Sequence, residues 1–429
     1  MNTSMSRIQW LDSLRGLAAL IVALDHLFLG TVNAPFRSYW AQPAADNQYF
    51  YQLPPISIIF AAKSMVALFM VLSGYSISAS LVLARNRGAL PQFYQKLTSA
   101  AFRRIFRLYI PVFTMATVAQ IALYLGFYHW WWPQLDAIGV VPWGSPTLHL
   151  RYYVAYLADS LNILEISPNP GLNDQLWTIP RELRGSFCVY LTMLALCGIS
   201  HRARLCCIMA TALYTLWYGD WDIFGFFSGL LMAEVTLGGV EDYRLPESRE
   251  PSASSSETKL PSSHRTFPLF WRHYGSHVQV LTKIFLFLFS FWLLCQPFEE
   301  HWSPGYRFLA SLIPPPWRSR HWEYTKFSVS TIGSVGLVTL IINVPVLQRI
   351  LSIRPFQFLG EVSFALYLMH VLYYRCLRNP IMNFTYSVFT GRDFWDGEDV
   401  WEPVPECITV SHHPFKQKVL ETNANFGNT

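Results

Sequence analysis

The chain carries little charge. Asp, Glu, Lys and Arg make up 14% of its 429 residues, where soluble globular domains average about 25%. That scarcity excludes an ordinary soluble fold. The formal net charge of +5 is small and spread over loops, so nucleic-acid binding has no support. Cysteine is used seven times, at 188, 197, 206, 207, 295, 376 and 407, without any CxxC pairing. Neither a zinc site nor a disulfide framework follows, and small apolar packing residues are the simpler reading. The chain also has no G-x-S-x-G elbow, no HExxH helix, no GxxxxGK phosphate loop and no His-x-x-x-Asp pair. No internal repeat is visible, which weighs against a transporter built from inverted halves.

Apolar and aromatic residues are abundant. Hydrophobic residues make up 52% of the chain, with 16 Trp, 22 Tyr and 31 Phe, a supply that suits interfacial belts. The expected fold is all-α, a polytopic membrane helix bundle with about nine transmembrane helices. Candidate spans run roughly over 14–33, 56–84, 105–127, 177–197, 203–219, 221–238, 278–296, 327–347 and 357–376, each near the length a bilayer core requires. The fifth and sixth, separated by Tyr218 to Trp221, read as a tight hairpin. Segment 150–165 reads as an amphipathic interfacial or re-entrant helix. The first stretch, Leu14 to Val32, reads as a retained helix rather than a cleaved signal, because Asp25-His26 interrupts it and Pro35 follows its small-residue end.

Basic loops orient the bundle. Arg85, Arg87, Lys96, Arg103, Arg104 and Arg107 lie between spans two and three, Arg202 and Arg204 between four and five, and Arg349 and Arg354 between eight and nine. Nine alternating crossings put these on the cytosolic side with the N-terminus. The acidic loop 129–175 then faces the lumen. Residues 1–376 form the expected membrane domain. Within it, the Ser/Pro-rich segment 246–265 reads as a disordered cytosolic loop. Residues 377–429 read as a polar C-terminal tail without a tenth span, carrying an Asn383-Phe384-Thr385 glycosylation pattern on the lumenal side.

Four constellations carry chemistry. Arg15 and His26 have ten residues between them on the first span. Eleven helical steps return to nearly the same face, about 16 Å further along the axis. A charge and a titratable ring inside a membrane helix are costly, and point to a functional site in the bundle interior. Arg15 can hold an anionic substrate, and His26 can do proton chemistry deeper in. The plainer alternative is a snorkelling arginine and a helix-packing histidine. Asp25 precedes His26 but points about 100° away, so an Asp–His dyad is geometrically poor. Arg104 and Arg107 share a helix face at the mouth of span three. Their guanidinium forks match phosphate oxygens, although such clusters are also ordinary topology signals. LWTIPRELRGS, Leu176 to Ser186, places Arg181, Glu182 and Arg184 behind Pro180 at a helix start. Glu182 survives burial by pairing with an arginine on its own or another helix. It reads equally as an acceptor-orienting group or an ion-paired helix end. SFALYLMH puts Ser363, Tyr367 and His370 on one face, as bundle glue or as catalytic groups.

Taken together, these segments resemble the acyltransferase 3 family of membrane-embedded enzymes, which move acyl groups from cytosolic acyl-CoA to hydroxyl groups. WLDSLRGLAALIVALDHLF, Trp10 to Phe28, is similar to the family opening, with Arg15 and His26 in the places of its arginine–ten–histidine hallmark. Arg104 and Arg107 match its later Arg-x-x-Arg pair. The resemblance covers about residues 8 to 375 and is greatest for a filamentous-fungal branch whose members acylate secondary metabolites. It departs at the C-terminus, where the family usually shows about ten spans. It implies acyl-CoA, with acetyl-CoA as default, as co-substrate, no bound cofactor and no metal. A small-molecule alcohol is the implied acceptor, with a sugar or lipid as alternatives, in the lipid bilayer of the endoplasmic reticulum. It also implies His26 as general base beside Arg15, Glu182, Tyr367 and His370, and Arg104 and Arg107 on the acyl-CoA. A rival class, a secondary transporter, would use the same intramembrane charges.

Overall fold

The structure is a computed structural model, and it describes residues 8–28, 36–86, 90–128, 146–164, 172–238 and 276–391. Within these residues the chain is helical, with no strand. In order the helices are α1 (Gln9–Phe28), α2 (Ala62–Asn86), α3 (Leu90–Tyr124), α4 (Pro146–Leu161), α5 (Ile179–Ala195), α6 (His201–Trp217), α7 (Trp221–Leu237) and α8 (Ser276–Leu294). There follow two short helices, α9 (Arg307–Leu312) and α10 (Pro315–Arg318), then α11 (Trp322–Asn343), α12 (Pro345–Leu351), α13 (Arg354–Tyr373) and α14 (Asn379–Thr390). A π turn over Tyr374–Arg378 joins the last two. All-α architecture is therefore as expected.

Each of the nine expected spans falls on one of these helices. Among the described residues, four runs are long and apolar enough to cross a membrane: Ala62–Asn86, Leu90–Tyr124, Trp322–Asn343 and Arg354–Phe389. The count of nine is not confirmed by these four. Helices α5, α6 and α7 have 17 residues each, about 25 Å of rise against a hydrocarbon core of about 30 Å. Helix α1 carries Asp12, Arg15 and Asp25 within its 20 residues.

Helix α2 is the hub, packed against α1, α7 and α11. Small residues let α2 and α7 interlock at backbone distance. A Cβ on Gly74 would lie 2.3 Å from the Phe226 carbonyl oxygen, and one on Gly229 would lie 2.4 Å from that of Val71. At one end, Glu234 of α7 accepts from both Arg85 Nη atoms at 2.6 and 2.8 Å. Arg204 at 3.6 Å and His201 at 3.8 Å stand beside the same carboxylate. This buried cluster joins α2, α6 and α7. The hairpin between α6 and α7 turns through Gly219 at φ +75°, a conformation glycine adopts without strain.

The C-terminal end differs from expectation in one respect. The polar tail expected from 377 begins instead as α14, whose Ile381, Phe384, Val388 and Phe389 side chains are exposed. Arg375 and Arg378 hid this continuation in the sequence. Asn383 falls on this helix, and residues 392–429 lie outside the described residues. So do the 246–265 segment and most of the acidic loop, including Asp136 and Glu165.

Candidate active site

Helices α1 and α13 run side by side, and their contact builds the site. A Cβ on Gly16 would sit 2.3 Å from the Leu359 carbonyl carbon, and one on Gly360 would sit 2.6 Å from that of Asp12. Glycine at both positions lets the two backbones touch. Ten residues further along each helix, this approach brings His26 and His370 together, with ring centroids 5.1 Å apart and planes tilted by 60°. His26 is half-buried, and His370 is 3% exposed.

Both rings are held in the same way. His26 Nδ1 donates to Val22 O at 2.8 Å, and His370 Nδ1 donates to Leu366 O at 3.2 Å. A carbonyl only accepts, so each Nδ1 carries a hydrogen, and in the neutral ring the lone pair stays on Nε2. His370 Nε2 is buried without a hydrogen-bond partner. The pair thus sets two imidazole rings side by side, each tied through Nδ1 to its own helix. Asp25 does not join it. Its Oδ1 accepts from Ala62 N at 3.1 Å and so caps the start of α2, in line with the poor dyad geometry expected for adjacent helical residues.

Tyr367 packs between His370, at 5.9 Å, and Phe69, at 5.7 Å. Its hydroxyl donates to Gln175 O at 2.9 Å and meets Thr178 Oγ1 at 2.7 Å. Gln175 Nε2 in turn donates to Leu368 O at 3.0 Å. The Tyr367 proton is thereby directed at the 172–178 segment, and the residue ties α13 to the entry of α5. Ser363 donates to Gly360 O at 2.9 Å, on its own helix.

The arginines gather nearer the start of α1. Arg15 binds Asp12 at 3.2 Å, with a quarter of its side chain exposed. It lies within the electrostatic reach of Glu182, Arg104 and Arg107. Glu182 forms an ion pair with Arg104 across α5 and α3, and Arg104 Nε also donates to Ser186 Oγ at 3.1 Å. Of the expected pair on α3, Arg104 faces inward and Arg107 is exposed. Arg181 and Arg184 turn the other way, to Asp222 of α7, at 3.7 and 2.6 Å. Arg181 also stacks against Trp177, Trp221 and Tyr324 at 5.5 to 5.7 Å. So Arg15, Arg104, Arg107 and Glu182 form one group, His26, Tyr367 and His370 a second, and α1 carries a member of each. Within reach of both, Glu182 also bears electrostatically on Tyr367.

Sequence reasoning missed three contributors: the Gln175–Thr178 brace, Ser186, and the π turn. The last has a signal. Pro380 lacks an amide hydrogen and its ring collides with the carbonyl four residues back, so an apolar helix running through Asn379-Pro380 must open just upstream. Among the described residues no group of three His, Cys, Asp or Glu side chains could hold a metal.

Comparison with known proteins identifies relatives of the chain. The chain is 27% identical over 410 residues to the O-acetyltransferase PaAT-1 of Phomopsis amygdali, covering 90% of this chain and 74% of that one. It is 23% identical to acyltransferase R4 of Phoma sp., over 85% of this chain and 82% of the relative. Acyltransferase clz18 of Cochliobolus lunatus is likewise 23% identical, over 84% and 81%. No solved structure matches the chain. The family model described as an acyltransferase domain matches residues 8–406, which takes in both histidines, all four grouped charges and the π turn, and the chain belongs to that acyltransferase family.

Proposed function

We propose that this acyltransferase moves an acyl group, acetyl by default, from acyl-CoA to a hydroxyl of a small molecule, with His26 as general base. The observation that carries the reading is the His26–His370 contact, a half-buried and a buried imidazole side by side, each held through Nδ1 so that its lone pair is on Nε2. The alcohol proton passes to His26 Nε2 as the alcohol oxygen attacks the thioester carbonyl. The C–O bond forms, the C–S bond breaks, and the imidazolium returns the proton to the CoA thiolate. Arg15 steadies the donor near the thioester, and Arg104 and Arg107 meet its phosphates. Phosphate must compete with Glu182 for Arg104, so donor binding loosens that ion pair. The acceptor is a secondary-metabolite alcohol such as a terpenoid or polyketide. The name of the Phomopsis relative, an O-acetyltransferase, supports the acetyl choice. Nine crossings from a cytosolic N-terminus, in the endoplasmic reticulum, present the arginine group to cytosolic acyl-CoA.

The test is acyl-CoA consumption by the purified protein in lipid nanodiscs, with a panel of terpenoid, polyketide, sugar and lipid alcohols. The reading expects CoA release that depends on one class of alcohol. Uptake of an alcohol into sealed vesicles without acyl-CoA, and no CoA release, would identify a transporter instead.

A further inference from the structure

The π turn after His370 reaches back to α1 on both sides of His26. Tyr374 donates its hydroxyl proton to Ala23 O at 2.6 Å, and Arg378 donates from Nη1 to Leu27 O. These carbonyls belong to the residues three before and one after the histidine. Leu27 is the next-to-last residue of α1, where carbonyls lack an intrahelical partner and a guanidinium both caps them and offsets the helix dipole. Tyr374 also touches the other half of the centre, and Arg378 packs on Tyr374. The Tyr374 ring stands edge-on to His370 at 5.9 Å, and the Arg378 guanidinium lies 5.6 Å from the Tyr374 ring. The wider π turn, enforced by Pro380, is what brings both onto α1. Such turns inside α-helices recur at functional sites.

We propose that Tyr374 and Arg378 are positioning residues that clamp the end of α1 and so fix His26 against His370. This rests on the histidine pair being the catalytic centre. The glycine contact at Gly16 and Gly360 fixes the two helices at their other end, and the clamp supplies the second point that sets the angle between them. Without the clamp, the His26 end of α1 stays tied to α2, through Asp25 on Ala62 N, and its contact with His370 loosens.

Two experiments on the full-length protein in nanodiscs test this. In the first, kcat and KM for acetyl-CoA are measured for Tyr374→Phe, Arg378→Gln and Arg378→Lys. Tyr374→Phe and Arg378→Gln should each lower kcat by about tenfold or more, the scale of a sub-ångström misplacement of a catalytic group. KM should hold within about twofold, because the donor-binding arginines lie nearer the start of α1 and on α3. Arg378→Lys should recover part of the loss. Unchanged kcat in both variants, or a loss that only tracks the amount of folded protein, overturns the proposal. The second reads geometry without activity: His26→Cys with His370→Cys should form an oxidant-induced disulfide, identified by mass spectrometry of the linked peptides. Adding Tyr374→Phe and Arg378→Gln should slow its formation. A crosslinking rate indifferent to those changes overturns the clamp whatever the activity. A rate that responds, in a protein whose wild type transfers no acyl group, leaves the clamp standing and removes the proposed function instead.

Discussion

Gly16→Ala probes the helix contact on which the whole site depends. The added methyl would start 2.3 Å from the Leu359 carbonyl carbon and 2.4 Å from Gly360 N. Both are backbone atoms, so no side chain can swing aside. Ordinary contact begins at 3.4 Å, so α1 and α13 must part by about 1 Å. His26 stands ten residues further along α1, about 15 Å away, and its ring is 5.1 Å from that of His370. A separation of that size carried to the pair takes one base off the line of attack, and a misplacement of about 1 Å can cost about a hundredfold in rate. The assay is product formation per mole of protein in nanodiscs, with size-exclusion profiles to match folded amounts. Gly198→Ala is the control, since its Cβ would meet nothing within 4 Å. A Gly16→Ala protein that keeps more than about a third of wild-type turnover would refute the argument that close helix approach builds the centre.

The arginine group predicts a different kinetic signature. Replacing Arg104 and Arg107 together with Gln should raise KM for acyl-CoA by about tenfold to a hundredfold, with little change in that for the acceptor, because charged hydrogen bonds to phosphate are worth roughly 1.5–3 kcal/mol. Glu234→Ala should leave Arg85 buried without its bidentate partner, costing about 3–5 kcal/mol of stability. Thermal denaturation in detergent should show a lowered midpoint, while KM for acyl-CoA stays unchanged in whatever protein remains folded. A C-terminal tag should be protected from protease in sealed microsomes if nine crossings are correct, and digestion without detergent would show that the number of crossings is even.

The parts of this site that lie within one helix were legible in the sequence. The eleven-step spacing of Arg15 and His26 follows from helical geometry alone, and so does the shared face of Tyr367 and His370. Pairings between helices were not legible. Nothing in the local pattern says that α13 lies against α1, because that choice is made by Gly16 and Gly360, whose role is visible only when two backbones meet. Glu182 was recognisable as an acid needing a basic partner, but Arg181 and Arg184 were as near in sequence as Arg104 was remote. The structure gives those two to Asp222, which leaves Glu182 for α3. The number of crossings is not legible for a related reason. Apolar stretches of 17 residues in a buried bundle and in a bilayer look alike from composition, and α5 to α7 owe part of their apolar character to packing within the protein. The continuation into α14 was hidden by two arginines that serve a turn rather than end a span.

The central claim is that the histidine pair performs acyl transfer with His26 as base. Its most direct test is transfer of radiolabelled acetyl from acetyl-CoA to an accepted alcohol, by wild type and by His26→Ala at matched folded amounts in the same nanodiscs. The variant should still bind acetyl-CoA and lose turnover by about a hundredfold or more, the scale of a missing general base. A His26→Ala protein that transfers acetyl at more than about a third of the wild-type rate would contradict it.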